Sequence, residues 1–282
     1  MSQKRIAAIH DISCFGKCSL TVALPLLSAA GIETAVIPTA VLSTHTGGFT
    51  GYTFRDLSED LLPIAKHWKK EKLKFDAVYT GYMGSKEQIT IVKKAIEQIK
   101  GEKTLVIVDP VMADSGVLYP GFPPDFPKEM RKLCMKADII TPNITEACML
   151  LGIPYKEGPY DEKFILGLLR ALHSANGARV VLTGVYFDAR RIGAAVIEKG
   201  KISYVFSERV PAAYHGTGDV FSSAFCGALL NGRSLKASAQ IAANFTCGCI
   251  KRTYTEEKEM RYGVNFESEI PNLIKFLGLN DG

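Results

Sequence analysis

The stretch "KTLVIVDP" (Lys103–Pro110) decides how this chain folds. It is a short apolar run with several β-branched residues, and it ends at an acid and a proline. A run of this kind between turn-forming residues predicts a strand that is buried on both faces. Such strands occur in parallel sheets that are covered by helices on both sides. The stretch therefore predicts one strand of an α/β fold.

The same pattern recurs along the first part of the chain, and amphipathic helical patterns separate the apolar runs. Further strands are predicted at residues 5–10, 34–42, 76–82, 137–143 and 178–184. The clearest helical patterns lie at residues 19–31, 58–73, 85–101 and 127–137. Because strands and helices alternate at this spacing, a parallel sheet with helices on both faces is predicted.

The last third of the chain has a different pattern. Two apolar runs flank Gly200-Lys201 and predict a β-hairpin. Three helices are predicted to follow, at residues 217–230, 234–251 and 266–277. No linker, internal repeat or low-complexity stretch interrupts the sequence. Residues 1–282 are therefore expected to form a single domain.

The composition is that of a soluble globular protein. Hydrophobic residues make up 47% of the 282 residues, charged residues make up 22%, and the net charge is +5. This small excess does not demand a nucleic-acid partner, and no platform of aromatic and basic residues accompanies the basic stretch at 66–74. No apolar run approaches the roughly 18 residues that a membrane span needs. The polar start "MSQKR" does not fit a signal peptide, so a cytoplasmic protein is expected.

Polar and glycine residues stand where the predicted strands end. In an open parallel sheet, ligands bind beyond the carboxyl ends of the strands. The residues at these ends are His10-Asp11, Thr46-Gly47-Gly48, Gly81-Tyr82, Asp109-Pro110, Thr141-Pro142-Asn143 and Thr183-Gly184. We therefore expect the functional site at this edge of the sheet.

The sharpest functional signal is "GTGD" (Gly216–Asp219), which leads into an apolar helical run. Glycines allow a tight turn and a close approach of the backbone to a ligand, and a helix start has unpaired N–H groups. Together they predict an anion-binding turn. Asp219 adds a carboxylate that could accept a proton from a substrate hydroxyl during phosphoryl transfer. It could equally be an N-terminal helix cap, and the motif alone does not separate these two roles.

Two further segments carry acids and an amide after neighbouring strands. "DPVMADSG" contains Asp109 and Asp114, and "TPNITEA" contains Asn143 and Glu146 three residues apart. Carboxylates and amides of this kind hold Mg²⁺ near nucleotide phosphates. The alternatives are a capping arrangement for Asn143 and Glu146 and a strand-ending turn at Asp109.

Two glycine-containing segments near the amino end need separate interpretations. "CFGKCS" has a cysteine after its lysine and no glycine five residues before Gly16, so it is not a Walker A loop. An ATP site in this chain would therefore use a different scheme. "STHTGGFTGYTF" (residues 43–54) follows a strand, and it is either a substrate-covering loop or a flexible connection.

The ordered set of motifs resembles a known superfamily. "GTGD", "DPVM" after a central strand and "TPN" with "EA" after the next are similar to those of the ribokinase-like, ATP-dependent small-molecule kinases. Within it, "THTGG", "TGYMGS" and "ADIITPN" resemble the pyridoxal (vitamin B6) kinase family, and the resemblance extends from about residue 5 to residue 255. It implies a three-layer α/β/α sandwich with a mostly parallel central sheet. The implied activity is ATP-dependent phosphorylation of the 5′-hydroxymethyl group of pyridoxal, pyridoxamine or pyridoxine.

The resemblance also implies roles for individual residues. Asp219 would be the general base, and the backbone N–H groups of Gly216, Thr217 and Gly218 would form the anion hole. The ATP-binding positions would be Asp109, Asp114, Asn143, Glu146, Thr183, Gly184 and Gly218, with Asp109 and Glu146 on the side of Mg²⁺. The substrate-binding positions would be Asp11, Ser13, Thr46, Gly48, Tyr82 and Asp219. A homodimer and activation by a monovalent cation such as K⁺ are further features that the family allows.

Asp11 departs from the family pattern. Many pyridoxal kinases carry a serine after the first strand, where "IHDIS" places Asp11, with Ser13 two residues later. An aspartate there resembles the hydroxymethylpyrimidine kinases, so a pyrimidine is the alternative substrate. A carboxylate accepts from a protonated ring nitrogen or an amino group, whereas a hydroxyl can both donate and accept. Asp219 and "THTGG" favour the B6 branch, and a non-catalytic vitamer-binding relative is the third hypothesis.

Overall fold

The computed structural model describes residues 3–256 and 259–279, without the side chain of Met260. In this part of the chain the strands are β1 (Arg5–Ser13), β2 (Glu33–Leu42), β3 (Phe54–Asp56), β4 (Ala77–Thr80), β5 (Leu105–Val108), β6 (Ala113–Asp114), β7 (Val117–Leu118), β8 (Ile139–Ile140), β9 (Arg179–Val185), β10 (Arg191–Glu198) and β11 (Lys201–Glu208). One sheet has the order β11-β10-β9-β8-β5-β4-β1-β2-β3, and β6 and β7 pair separately. The six central strands, β9-β8-β5-β4-β1-β2, run parallel to one another. Strands β3, β10 and β11 at the two edges are antiparallel to their neighbours.

Helices cover both faces of the large sheet. They are α1 (Leu20–Ala29), α2 (Ser58–Lys70), α3 (Lys86–Ile99), α4 (Phe126–Cys134), α5 (Ile144–Leu151), α6 (Glu162–Asn176), α7 (Thr217–Leu230), α8 (Leu235–Thr255) and α9 (Ile270–Leu277). Helices α2 to α6 pack on one face, and α1, α7, α8 and α9 pack on the other. The predicted three-layer α/β/α sandwich is therefore confirmed. Within the described ranges, no helix is both long enough and apolar enough to cross a membrane.

Strand β5, which lies in the opening stretch, shows why the sheet is covered on both sides. Val106 and Val108 point towards α2–α6, while Ile107 points towards the opposite helices. All three side chains are completely buried. Burying an aliphatic side chain of this size stabilises the fold by about 1.5–3 kcal/mol. An apolar run without polar alternation therefore places a strand between two helical layers.

Several element boundaries differ from the sequence-based prediction. Strand β1 continues to Ser13, because its pairing with β2 resumes after an irregularity that follows His10. The hairpin turns at Lys199-Gly200 rather than at Gly200-Lys201, since the two turn residues have φ values of 50° and 75°. Helix α9 begins at Ile270 instead of residue 266, after a short 3-10 turn. The short edge strand β3 and helix α6 had not been predicted.

Gln88 is a fully buried amide that connects the elements below the carboxyl edge of the sheet. Its Nε2 donates to the carbonyl of Thr39 in β2 (2.9 Å) and to the hydroxyl of Ser58 in α2 (3.1 Å). Its Oε1 accepts from the backbone N–H of Gly84 (2.7 Å), in the loop that follows β4. Because that loop also contains Tyr82, the amide fixes the backbone that carries a predicted site residue.

Gln88→Ala is expected to lower the free energy of unfolding by about 1–3 kcal/mol, because buried polar groups lose their partners. Gln98→Ala is the matched control on the same helix. The half-buried Gln98 accepts a hydrogen bond from the amine of the exposed Lys69 (3.3 Å), so its loss should cost less than about 0.5 kcal/mol. Urea unfolding followed by circular dichroism measures both effects. Equal losses for the two variants would contradict the role given to Gln88.

Candidate active site at the carboxyl edge of the sheet

The predicted anion turn is the start of helix α7. Gly216 caps this helix and has a left-handed backbone with φ of 77°. A methyl group on Gly216 would lie 1.9 Å from the carbonyl oxygen of Lys17, so only glycine fits there. Asp219 is the third residue of the helix and not its cap, so the capping alternative for Asp219 is wrong. Gly216, Thr217 and Gly218 line a cavity at this point, where the first N–H groups of the helix lack intrahelical partners.

Asp219 faces a small pocket that contains two further carboxyl groups. The pocket has a volume of about 100 Å³, and Asp109, Glu146 and Asp219 all line it. Asp109 follows β5 and Glu146 lies in the first turn of α5, and both are buried, whereas Asp219 is half-buried. The structure therefore brings together three acids that come from three separate segments of the sequence.

Burial raises the pKa of all three carboxyl groups. The pKa of Asp219 rises to about 7, because burial and the charge of Asp11 outweigh the backbone N–H of Ser19, which favours the ionised form. The pKa of Asp109 is raised by burial and by the charge of Asp219, against two nearby hydroxyl groups. The charge on Asp219 therefore favours the protonated form of Asp109. With a pKa of about 7, Asp219 can take up and release a proton near neutral pH.

The side chains of Asn143 and Glu146 form a capping box at the start of α5, which confirms the capping alternative. Asn143 Oδ1 accepts from the N–H of Glu146 (2.8 Å), and Glu146 Oε2 accepts from the N–H of Asn143 (2.9 Å). Both side chains also bind the segment after β5. Glu146 Oε1 accepts from the N–H of Met112 (3.1 Å), and Asn143 Nδ2 donates to the carbonyl of Ala113 (2.8 Å). Since both residues also line the small pocket, capping holds them at the site.

A larger cavity of about 840 Å³ lies beside the small pocket. It is lined by most of the predicted ATP-binding residues, namely Asp114, Asn143, Thr183, Gly184 and Gly218. The remaining two, Asp109 and Glu146, line only the small pocket. The two cavities adjoin, because Asn143, Thr183 and Gly218 belong to the walls of both.

The rest of the wall of this larger cavity had not been predicted. It is formed by the end of the β10–β11 hairpin and by a face of α8, which contribute residues such as Ile192, Ser207, Ala243, Cys247 and Ile250. Apolar residues of a helix face carry no motif, so only their packing around one space identifies them. His215 also lines the cavity, and its position directly before "GTGD" was the one sequence signal for it.

The predicted substrate-side residues other than Asp219 line neither of these two cavities. Asp11 and Ser13 lie buried on the extended end of β1, and Ser13 Oγ donates to Asp11 Oδ2 (3.1 Å). Asp11 Oδ1 is buried and has no hydrogen-bond partner in the described part of the chain. The ring of Tyr82 packs near that of Phe122, with centroids 5.5 Å apart. Burial raises the pKa of Tyr82, and Asp11 is close enough for its charge to raise that pKa further, so the unused acceptor lies near an aromatic wall.

Thr46 and Gly48 lie in residues 43–49, the first part of the connection between β2 and β3. A methyl group on Gly47 would lie 2.5 Å from Nδ1 of His215, and one on Gly48 would lie 2.9 Å from Cβ of Arg261. The loop is therefore packed against the segment that contains the anion turn. This packing favours a substrate-covering loop over a flexible connection.

His10 stands at a predicted strand end but lines neither cavity. It is completely buried, and neither ring nitrogen has a partner within the residues described. Its ring contacts that of Tyr79 edge to face, with centroids 4.3 Å apart. Burial lowers the pKa of His10 to about 3, so the ring stays neutral and serves as part of the core.

The raised pKa of Asp219 makes a prediction about stability. A carboxyl group with a pKa of about 4 in the unfolded chain and about 7 in the folded protein binds its proton more tightly when folded. Its stabilising contribution is therefore complete below about pH 4 and is lost as the pH rises towards 7. Compared with the wild type, Asp219→Asn should raise the free energy of unfolding by about 1–2 kcal/mol at pH 8, after allowance for partial exposure, and change it little at pH 4.

Urea unfolding at the two pH values checks this expectation. Asp188→Asn is a control whose effect on stability should have the opposite sign. The backbone N–H of Arg190 lowers the pKa of the exposed Asp188. That variant should be less stable than the wild type at pH 8 and equal to it at low pH. The same stability difference for Asp219→Asn at both pH values would show that the pKa of Asp219 is not raised.

Comparisons with known proteins agree with this geometry. The phosphomethylpyrimidine kinase family profile matches residues 24–264. A solved pyridoxal kinase from Lactobacillus plantarum is 32% identical with a TM-score of 0.88, and the match covers 100% of both chains. A Bacteroides thetaiotaomicron protein that carries a phosphomethylpyrimidine kinase name and was crystallised with pyridoxal is 39% identical with a TM-score of 0.90, over 96% of both chains. A pyridoxal kinase of Rubrobacter xylanophilus is 27% identical over 270 residues, which are 88% of this chain and 87% of that protein.

The match to the family profile spans more than half of the chain, and the solved pyridoxal kinase is matched over its whole length. The segments that carry the glycine turn, the three acids and the buried end of β1 fall within that structural match. The chain therefore belongs to the phosphomethylpyrimidine kinase family and, within it, to the pyridoxal kinases.

Proposed function

We propose that this protein transfers the γ-phosphoryl group of ATP to the 5′-hydroxymethyl group of a B6 vitamer: pyridoxal, pyridoxamine or pyridoxine. The observation that carries the proposal is the position of Asp219, in the first turn of α7, beside the glycine turn and facing the pocket that adjoins the large cavity. Transfer of a phosphoryl group to an alcohol requires a base and an anion-binding group at one place.

Asp219 is the proposed general base. It accepts the proton of the substrate hydroxyl as that oxygen attacks the γ-phosphorus atom. Its pKa of about 7 leaves it partly ionised at neutral pH and makes it a stronger base than an exposed aspartate. Asp109, in the same pocket, either keeps its proton or faces a cation, because burial and the charge of Asp219 disfavour its ionised form.

The glycine turn is the proposed anion hole. Gly216, Thr217 and Gly218 line the large cavity, and the two glycines also line the small pocket. Their backbone N–H groups stand at a helix start, where the positive end of the helix dipole adds to the attraction for negative charge. Because these groups are fixed before the reaction, they stabilise the transferring phosphoryl group without reorganisation.

The large cavity is the proposed ATP site, and the small pocket is the proposed place of Mg²⁺. Asp109 and Glu146 supply the oxygen ligands that Mg²⁺ prefers. Both Glu146 oxygens already accept backbone N–H groups, so Glu146 would act through water. In the described ranges no three His, Cys, Asp or Glu side chains could hold a metal by themselves, so phosphate oxygens and water would complete the coordination. When bound, the ion would neutralise phosphate charge.

Asp11 is the proposed polar contact to the substrate ring. Its Oδ1 is a buried acceptor without a partner in the described residues, and burial raises its pKa against two nearby serine hydroxyls. An unsatisfied buried acceptor is costly, so a donor on the ligand gains from reaching it. A protonated ring nitrogen or an amino group provides such a donor. Thr46, Gly48 and Tyr82 would form the rest of the substrate side.

The activity is tested by incubating the protein with Mg-ATP and each B6 vitamer in turn. ADP release and a 5′-phosphorylated product are expected with at least one vitamer. Removal of Mg²⁺ with EDTA should abolish turnover, and excess Mg²⁺ should restore it. Tight vitamer binding without ATP consumption would instead support a non-catalytic relative and overturn the proposal.

Asp219→Asn tests the role of the base. It should lower kcat by about 10²–10⁴-fold while vitamer binding survives, because the amide keeps the shape and loses the basic oxygen. Asp188→Asn, a substitution of the same chemistry at an exposed position, should leave kcat within about twofold of the wild type. Retention of most of the wild-type kcat by Asp219→Asn would overturn its assignment as base.

The second candidate substrate is a hydroxymethylpyrimidine. The family profile and Asp11 favour it, since an aminopyrimidine offers an amino group to the free Oδ1. Competition between the pyrimidine and a B6 vitamer for the same enzyme separates the two candidates. A clear preference in kcat/KM for the pyrimidine would replace the vitamer as the substrate.

We further propose, on the family resemblance alone, that the protein is a cytoplasmic homodimer and that K⁺ activates it. Light scattering after size exclusion tests the oligomeric state. Turnover in K⁺ buffer compared with a bulky organic cation at the same ionic strength tests the activation.

A further inference from the structure

His215 contacts two parts of the site that the proposed mechanism treats separately. It precedes the anion turn and lines the large cavity. Its ring also packs on residues 43–49, which we call the vitamer loop. A methyl group on Gly47 would lie 2.5 Å from Nδ1 and 2.7 Å from Cε1 of His215. The imidazole of the exposed His215 therefore rests directly on the backbone of the vitamer loop at residue 47.

The contact with His215, and not a left-handed backbone, disfavours a side chain at residue 47. The φ angle of Gly47 lies outside the left-handed region, whereas the neighbouring Gly48 has φ of 77°. The three atoms nearest to a methyl group at residue 47 all belong to the His215 ring. Both Gly47 and His215 can be substituted, so a double-mutant cycle can test the contact between them.

The vitamer loop has a second anchor, which does not involve His215. His45 Nε2 donates to the carbonyl of Arg261 (2.7 Å), and His45 Nδ1 accepts from the N–H of Gly47 (3.1 Å). The first bond holds the loop to the segment after α8, and the second lies within the loop. The His45 and His215 rings are 5.6 Å apart, so the two anchors are neighbours. Loss of His215 alone should leave the loop attached but free to shift relative to the anion turn.

We infer that His215 is a positioning residue, whose ring holds the vitamer loop against the anion turn. The inference rests on the proposed function, because it takes the loop as vitamer-binding and the turn as phosphate-binding. Displacement of a reacting group by about 1 Å can cost about 100-fold in rate. A packing contact between the two halves of the site therefore controls the rate without touching the reacting atoms.

A competing role for His215 is electrostatic. The imidazole lines the large cavity, where a protonated ring would attract the phosphates of ATP. Phenylalanine separates the two roles, because it keeps a flat ring of similar size but has neither charge nor N–H group. If His215 acts by packing, His215→Phe should keep its function. If His215 acts through its charge, His215→Phe should lose that function.

The first test compares His215→Ala with His215→Phe by steady-state kinetics on the vitamer that the wild type turns over best. His215→Ala should lower kcat/KM for the vitamer by about 10-fold and leave KM for ATP within about twofold. His215→Phe should restore kcat/KM to within about threefold of the wild type. Equal losses in both variants with a raised KM for ATP, or no loss in His215→Ala, would overturn the inference.

The second test is a cycle with Gly47→Ala. Alone, Gly47→Ala should lower kcat/KM for the vitamer by at least about 10-fold, because its methyl group displaces the loop from the ring. In the His215→Ala background it should cause no further loss, since the methyl group then occupies the space of the ring. Gly167→Ala is the control, as a methyl group there would meet nothing within 4 Å. If the losses in kcat/KM of the two single variants add up in the double variant, the proposed contact between the two residues is wrong.

A readout without catalysis separates this inference from the proposed function. Amide hydrogen exchange in residues 43–49 should be faster in His215→Ala than in the wild type, and His215→Phe should restore the wild-type rate. If the wild-type protein phosphorylates no vitamer, the proposed function is wrong. The exchange rates would still show whether the His215 ring restrains the vitamer loop. Unchanged exchange in His215→Ala would overturn the positioning role even if the enzyme is active.

Discussion

The close approach of Gly216 to the carbonyl of Lys17 is the contact on which the rest of the site depends. A left-handed glycine without a side chain lets helix α7 begin directly beside the connection between β1 and α1. Asp219 then lies close enough to Asp11 and Ser19 for both to act on its pKa. A side chain at residue 216 would push the helix start away from β1 and would separate Asp219 from Asp11.

Three buried or half-buried acids around one small pocket are electrostatically unfavourable for an approaching phosphate. The unfavourable interaction is avoided if the phosphate contacts the backbone N–H groups and not the carboxyl groups. In the proposed mechanism, the backbone N–H groups of the turn receive the anion, because they carry partial positive charge without a side chain. Asp219 would take the proton of the substrate hydroxyl, and Asp109 and Glu146 would meet a cation that arrives with the nucleotide. On this proposal an acid at the helix start is compatible with phosphate, because Asp219 does not bind the phosphate itself.

The layers of the fold and the edge that carries the site could be predicted from the sequence, because both depend on local patterns. The run around Ile107 has the composition of a doubly buried strand, and "GTGD" combines turn glycines with a helix start. Contacts between distant segments could not be predicted. Nothing in the sequence near Gly216 indicates Lys17, and nothing near Gly47 indicates His215. The wall of the large cavity formed by α8 was missed for the same reason, since it is an ordinary helix face.

The sequence left capping and ligand binding as alternatives for Asn143 and Glu146, and the structure shows that they need not exclude each other. The capping box fixes both side chains at the edge of the small pocket, and their further bonds tie down the segment after β5. A carboxylate held by two backbone N–H groups is preorganised, so little conformational entropy is lost when a hydrated cation meets it.

Asp11, on the proposed substrate side, is also partly satisfied by protein groups. Ser13 occupies Oδ2 and leaves Oδ1 as a single acceptor, which both candidate rings can satisfy. Asp11 is thus an acceptor that either ring can use, and we expect the shape of the surrounding wall to contribute to the choice between a pyridine and a pyrimidine. In the proposed site that wall would include Tyr82 and the vitamer loop, so the packing that holds the loop in place would also bear on which ring the enzyme accepts.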